Sequence, residues 1–278
     1  MIIDAHQHFW MYNANRHAWI SDDMKLLRKN FLPVDLIDLY KQHHIDGCIA
    51  VQADESDQET KFLLDLAAQN NFIKGVVGWI DHIDKQLDEK LHHYSTLPAL
   101  KGFRHIIQGR PDNLYLANPD FHHFLKALAF YSFTYDVLIT EDQLFATIKC
   151  TEKFPDQKFI LDHCGKPNIK AKNRKDWGSN IKILASNPNM YCKLSGLVTE
   201  AEWNKWTYDD LLPYLEIATE HFGTERICLG SDWPVCLLSA SFEKIMLYTH
   251  RFIGQLSTNE QKNILGLNAC RFYGIAIQ

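Results

Sequence analysis

Nowhere in the 278 residues is there a run approaching the roughly 18 consecutive apolar residues that a membrane-spanning helix needs. The first residues, Met1 to His8, lack a basic segment followed by an apolar stretch, so the chain reads as a cytoplasmic protein without membrane attachment. Long Lys/Arg blocks are missing too, and 29 Lys and Arg against 34 Asp and Glu leave a formal charge of −5, which argues against nucleic acid or an anionic membrane as the main partner. The seven cysteines (Cys48, Cys150, Cys164, Cys192, Cys228, Cys236 and Cys270) contain no CxxC pair and are odd in number, which predicts reduced thiols rather than a disulfide framework. No Pro/Gly/Ser-rich linker, charge block or internal repeat divides the sequence, so residues 1–278 read as one domain.

What the chain does have is a recurring pattern. Short, β-rich apolar runs begin at Ile2, Asp46, Ile73, Lys101, Phe133, Lys158, Met190 and Arg226. Between them lie stretches of helical periodicity, such as Asp35 to Tyr40 and Glu59 to Ala68. Strands that are short, almost continuously apolar and separated by helices belong to a parallel sheet covered on its faces. Eight such units, about 35 residues each, predict an α/β fold of the (β/α)8 TIM-barrel kind. An open dinucleotide-binding sheet would carry a Gly-rich turn after its first strand; here that strand ends in His6-Gln7-His8.

In such a barrel the carboxyl ends of the strands converge on one pocket. Those ends supply Asp4, His6 and His8, then Gln52, Trp79, Arg104, His105, Asp136, His163, Ser195, Asp232 and Trp233. A period of two puts His6 and His8 on the same strand face. His163 and Asp232, from two distant strands, bring the number of chemically competent groups expected in one site to four. For Asp232 the competing role is a helix N-cap before Pro234. The adjacent pairs His43–His44, His92–His93 and His122–His123 fall on predicted helices, where neighbours diverge and read as solvated positions. Cys164 follows His163 directly and on a strand would face the opposite side. Lys193 is open between an inward position on the seventh strand and the solvent exposure usual for lysine.

The stretches DAHQHFW, VVGWID, LDHCGKP, CKLSGLV and GSDWPVC, in this order on predicted strands, resemble the amidohydrolase superfamily, in particular its sugar-lactone hydrolase branch of L-fuconolactonase and L-rhamnonolactonase type. The resemblance runs from Ile2 to about Tyr273 and implies a hydrolase of sugar catabolism that opens a small sugar lactone to its aldonate. Binuclear members of the superfamily bridge two metals with a carbamylated Lys or a Glu on strand four and add a His on strand five. Here those strands offer Arg104 with His105, and Tyr135 with Asp136, so a bridged pair is not expected. His6, His8, His163 and Asp232 remain as ligands for one divalent ion such as Zn²⁺, or as a catalytic set that requires no cofactor.

The lactonase branch implies the metal-free alternative, with Asp232 as general base and the histidines as oxyanion donors. A pKa raised toward the working pH would suit Asp232 to that task. Arg104 is then a clamp for a carbonyl or hydroxyl oxygen. His105, Asp136 and Gln52 are candidate contacts to sugar hydroxyls, and Trp10, Trp79 and Trp233 candidate flat faces for the ring. Competing expectations are a mononuclear Zn-dependent amidohydrolase or decarboxylase, and a catalytically inactive sugar-binding barrel. The oligomeric state is left open.

Overall fold

A computed structural model describes residues 1–110 and 115–277. Eight strands, β1 (Ile3–Gln7), β2 (Gly47–Val51), β3 (Ile73–Gly78), β4 (Leu100–Ile106), β5 (Thr134–Leu138), β6 (Phe159–Leu161), β7 (Met190–Leu194) and β8 (Ile227–Leu229), pair in parallel and in sequence order. The expected (β/α)8 barrel is what forms, each strand start falling within one residue of its apolar run. Helices over the outer face begin at side-chain caps: Ser56 accepts from Glu59 N, Asn118 from Asp120 N and Ser241 from Lys244 N. Each such cap is worth about 1 kcal/mol.

Two apolar layers follow from the strand period of two. Outward residues such as Cys48, Ala50, Val76, Phe103, Tyr135, Phe159, Leu161 and Leu229 pack against the helices. Ile3, Ala5, Ile49, Val51, Val77, Ile160 and Cys228 form a second cluster inside the barrel, joined by Ala269, Cys270, Phe272 and Tyr273 of the last helix, Asn268–Tyr273. All seven cysteines are free and buried. Among the described residues, no helix is long and apolar enough to cross a membrane.

The barrel seam lies at the chemistry. β1 and β8 approach through Asp232 N donating to His6 O (2.8 Å) and His8 N donating to Trp233 O (2.7 Å). β1 also carries one extra residue, since Asp4 pairs with Cys48 while Gln7 pairs with Ala50. That bulge breaks the period. Asp4 therefore meets Tyr40 Oη (2.9 Å) on the helix Pro33–Gln42 and binds Ser231 through backbone and side chain, while His6 turns into the barrel.

Candidate active site

The structure brings His6, His8, His163 and Asp232 together. Asp232 Oδ1 lies 3.8 Å from His6 Nε2, 3.6 Å from His8 Nε2 and 3.9 Å from His163 Nε2. The rings of His6 and His8 stand nearly perpendicular with their Nε2 atoms 3.1 Å apart. The Nδ1 atoms of His8 and His163 are anchored, His8 Nδ1 on Val51 O at 2.8 Å and His163 Nδ1 on Ser195 Oγ at 2.9 Å. Two glycines make this packing possible. A Cβ on Gly230 would lie 2.7 Å from His6 Cβ, and one on Gly196, which has φ +64°, would lie 2.4 Å from His163 Nδ1.

His163 does not extend β6 as the sequence pattern suggests. The strand ends at Leu161, and His163 and Cys164 both adopt φ +54° in a tight turn. Asp232 also sits in the left-handed region, at φ +57°. Such conformations cost of order 1–3 kcal/mol each for a non-glycine residue and persist where the surroundings over-determine them. The turn at β6 has a second consequence: Asp162 and His163 both face inward, where a straight strand would oppose them. Asp232 makes no side-chain bond to a helix N-terminus among the described residues, so its carboxylate is left to the histidines.

A cavity of 290 Å³ opens over this cluster, lined by His8, Arg104, His163 and Asp232 at its floor. Trp19, Met24, Val235 and Leu238 give it apolar walls, while Gln108, Lys166, Glu200 and Trp203 form another side. Lys166 Nζ donates to Gln108 Oε1 (2.9 Å) and pairs with Glu200 (3.0 Å). His6 is fully buried beneath the floor.

Several expected contact residues lie elsewhere. Arg104 and His105 are neighbours on β4, so only one can face the barrel axis. His105 points outward among Phe121, Phe124 and Tyr135 with Nε2 on Ile80 O at 2.8 Å, where burial pushes its pKa down to about 3. Gln52 donates to Arg104 O at 3.1 Å and accepts Arg104 Nη2 on its own carbonyl, so it holds the arginine rather than lining the cavity. Trp10 and Trp233 both pack on Phe31 in the core, and Trp79 stands edge-on to His105. The aromatic faces exposed to the cavity are instead Trp19 and Trp203, from segments outside the strands.

Asp136 lies inside the barrel, fully buried in an ion cluster that sequence reasoning missed in part. Lys193 turns inward and pairs with Asp136 and with Asp162 Oδ1 (3.0 Å), while its Nζ lies 3.1 Å from His6 Nδ1. Arg104 Nη1 reaches Asp162 Oδ2 at 3.1 Å and His6 Nε2 at 3.3 Å. Tyr273 Oη donates to Asp136 at 2.9 Å. Two cations thus face two carboxylates, which is the balance a dry interior demands. Burial drags the Lys193 ammonium down, but the two carboxylates outweigh it and hold its pKa above the usual lysine value. Burial raises Asp136 to about 6 against the attraction of Lys193.

Electrostatics divide the site into a neutral and an anionic part. Burial lowers His6 well below its ordinary value, lowers His8, and takes His163 to about 4, so all three imidazoles are neutral at pH 7. For Asp232 burial works upward, but His163 and His8 together outweigh it and its pKa falls below the usual aspartate value. It is ionised at neutral pH, rather than poised near it.

His6 Nε2, His8 Nε2 and Asp232 Oδ1 also lie within 4.8 Å of one another. An N,N,O donor set with anchored imidazoles is the chemistry a single Zn²⁺ takes, so these residues fit one such ion. The model of the amidohydrolase family matches residues 3–275. The chain belongs to that family. An L-fucono-1,5-lactonase of Burkholderia multivorans is 36% identical to it, over 98% of this chain and 96% of that protein. A second L-fucono-1,5-lactonase, from Burkholderia ambifaria, is 30% identical over 98% and 95%. The crystal structure of an amidohydrolase from Burkholderia multivorans with bound zinc superposes with a TM-score of 0.95 at 35% identity, covering 99% of this chain and all of that one.

Proposed function

We propose that this amidohydrolase opens a sugar-derived lactone, of the L-fucono- or L-rhamnonolactone kind, to its aldonate by water attack, with Asp232 as general base. The observation that carries the reading is an ionised, buried Asp232 facing three neutral histidines at the floor of a 290 Å³ cavity. That volume, near the lower end of ligand cavities, suits one small ring. The two Burkholderia lactonases, similar along nearly the whole chain, support the substrate class.

Asp232 takes a proton from water as the water oxygen bonds to the ring carbonyl carbon. Negative charge gathers on the carbonyl oxygen, where Arg104 and His163 at the cavity floor are the available donors; one well-placed donor is worth about 3 kcal/mol. Collapse breaks the bond from the acyl carbon to the ring oxygen, which receives the proton from Asp232 and becomes a hydroxyl. The new carboxyl then ionises. A base with a lowered pKa is weak, and a lactone, an activated ester, demands less of it than an amide would. His6, His8 and Asp232 would hold a divalent ion, which when bound supplies Lewis acidity and a more acidic water; the proposed steps do not draw on it.

The test is turnover of a panel of aldonolactones by the purified protein, followed as acid release. Hydrolysis of deoxyhexonolactones is expected. Binding without turnover would replace this reading with that of a sugar-binding barrel.

A further inference from the structure

The walls of the cavity differ in chemistry from one side to the other. Beside the β1–β8 seam stand Trp19, Met24, Val235 and Leu238, contributed by the segments that follow those two strands. Trp19 carries the one N–H donor among these side chains, and its Nε1 is already committed to Ala53 O at 2.9 Å. A hydroxyl brought against this wall gives up water and finds no side-chain partner in exchange, whereas a methyl group gains by leaving water.

Gln108, Lys166 and Glu200, from the segments after β4, β6 and β7, make the other side polar. Lys166 ends the same left-handed turn that directs His163 inward, at φ +49°, so one short segment delivers both residues to the cavity. An ammonium has three donors. Lys166 Nζ donates to Gln108 Oε1 at 2.9 Å and pairs with Glu200 Oε1 at 3.0 Å, which leaves a third N–H. Glu200 Oε2 accepts no hydrogen bond among the described residues. A free donor and a free acceptor thus stand side by side, with their charges cancelled. The same two side chains also line a neighbouring cavity of 510 Å³. The pair is therefore bordered by open space on two sides instead of packed into the core, and an ion pair in contact with water contributes little to folding.

A 6-deoxyhexono-1,5-lactone has a matching two-sided pattern about its carbonyl. From C1 the ring runs one way to the hydroxyls on C2 and C3, and the other way through the ring oxygen to C5 and its methyl group. We propose that Lys166 and Glu200 are the specificity pair of this cavity: Glu200 accepts a hydrogen bond from one of the C2 and C3 hydroxyls, Lys166 donates to the other, and the C5 methyl lies on the Trp19 wall. The preferred ligand is then the six-membered lactone of a 6-deoxy sugar, since a 6-hydroxyl would be left without a partner on the apolar side. The inference rests on the reading of the cavity as the seat of a lactone ring whose carbonyl points to the floor.

The experiment is calorimetric binding of 1,5-lactams, whose amide stands in for the lactone ester and keeps recognition separate from turnover. Three are compared: 6-deoxygalactono-1,5-lactam of the L series, its 2,3-dideoxy analogue and its 6-hydroxy analogue. Wild type should bind the first about 10- to 100-fold more tightly than the dideoxy compound, the scale of hydrogen bonds to charged groups, and about tenfold more tightly than the 6-hydroxy compound. Lys166→Met and Glu200→Gln should each remove most of the preference for the diol while leaving affinity for the dideoxy lactam unchanged. Equal losses on both lactams, or a wild type indifferent to the diol or to the 6-hydroxyl, would overturn the inference, as would no binding of any lactam. Should either variant not fold, the wild-type series and the other variant decide. Lactam binding as described, with no hydrolysis of the corresponding lactones, would instead overturn the functional proposal and leave the recognition pair standing.

Discussion

Replacing Lys193 by Met tests whether the ion cluster within the barrel is balanced as described. The side chain is fully buried, with Nζ between Asp136 and Asp162, and Arg104 is the other cation of the group. Methionine fills a similar volume, so cavity formation contributes little. What remains is one uncompensated carboxylate in a dry interior, and breaking a buried pair from one side costs about 3–5 kcal/mol. The variant has one escape, protonation of Asp136, whose carboxyl is already raised to about 6 with the lysine present. A carboxyl raised in the folded state stabilises at low pH, and that contribution is lost as pH rises until the folded pKa is passed.

In the wild type the Asp136 contribution should be largely exhausted a little above its pKa of about 6. In Lys193→Met the folded pKa moves higher, so the loss continues at about 1.4 kcal/mol per pH unit. The gap between the two proteins should therefore widen by about 2–3 kcal/mol over two pH units above neutrality. Guanidinium unfolding of both proteins, at matched ionic strength across that range, reads the gap directly. A pH-independent difference, or a loss below about 1 kcal/mol, would show that Asp136 is not held ionised by Lys193.

Asp232→Asn should keep the fold and lower kcat by about 10² or more, because the amide cannot accept the proton of water; steady-state kinetics retaining most of the wild-type rate would assign the base to another group. The neutral histidines fix the direction of the pH profile: with His163 at about 4 and both His8 and Asp232 lowered, the acid limb of kcat/KM should lie below the range of an ordinary imidazole. An acid limb near pH 6.5, where an unperturbed imidazole titrates, would contradict the burial argument. Exhaustive chelation should leave lactone hydrolysis intact, since no proposed step uses an ion. Metal analysis and rate measured on one sample decide this, and activity lost with the metal and restored by stoichiometric Zn²⁺ would reject the metal-free mechanism.

The strands were legible because a buried parallel strand must be apolar on both faces, which leaves a continuous run in the sequence. His6 and His8 were legible for the same reason, as paired polar residues two apart at the end of such a run. The period of two also identified too much. It cannot tell which of Arg104 and His105 faces inward, and the bulge in β1 and the left-handed turn after Leu161 break it outright. Asp4 consequently leaves the expected site and Asp162 enters it.

Lys193 illustrates a different kind of illegibility. Its burial depends on Asp136 from β5, on Asp162 from the turn after β6 and on Tyr273 from the last helix, and none of these is adjacent to it in sequence. A lone lysine in an apolar run looks like an exposed residue until its counter-charges are placed, because burying it without them would cost far more than a single contact returns. Trp19 and Trp203 escaped for the opposite reason, since loops that follow strands carry no periodic signal at all. The polar groups that meet at the strand ends were thus visible in the sequence, while the groups packed beneath them are set by contacts across the barrel that only folding creates.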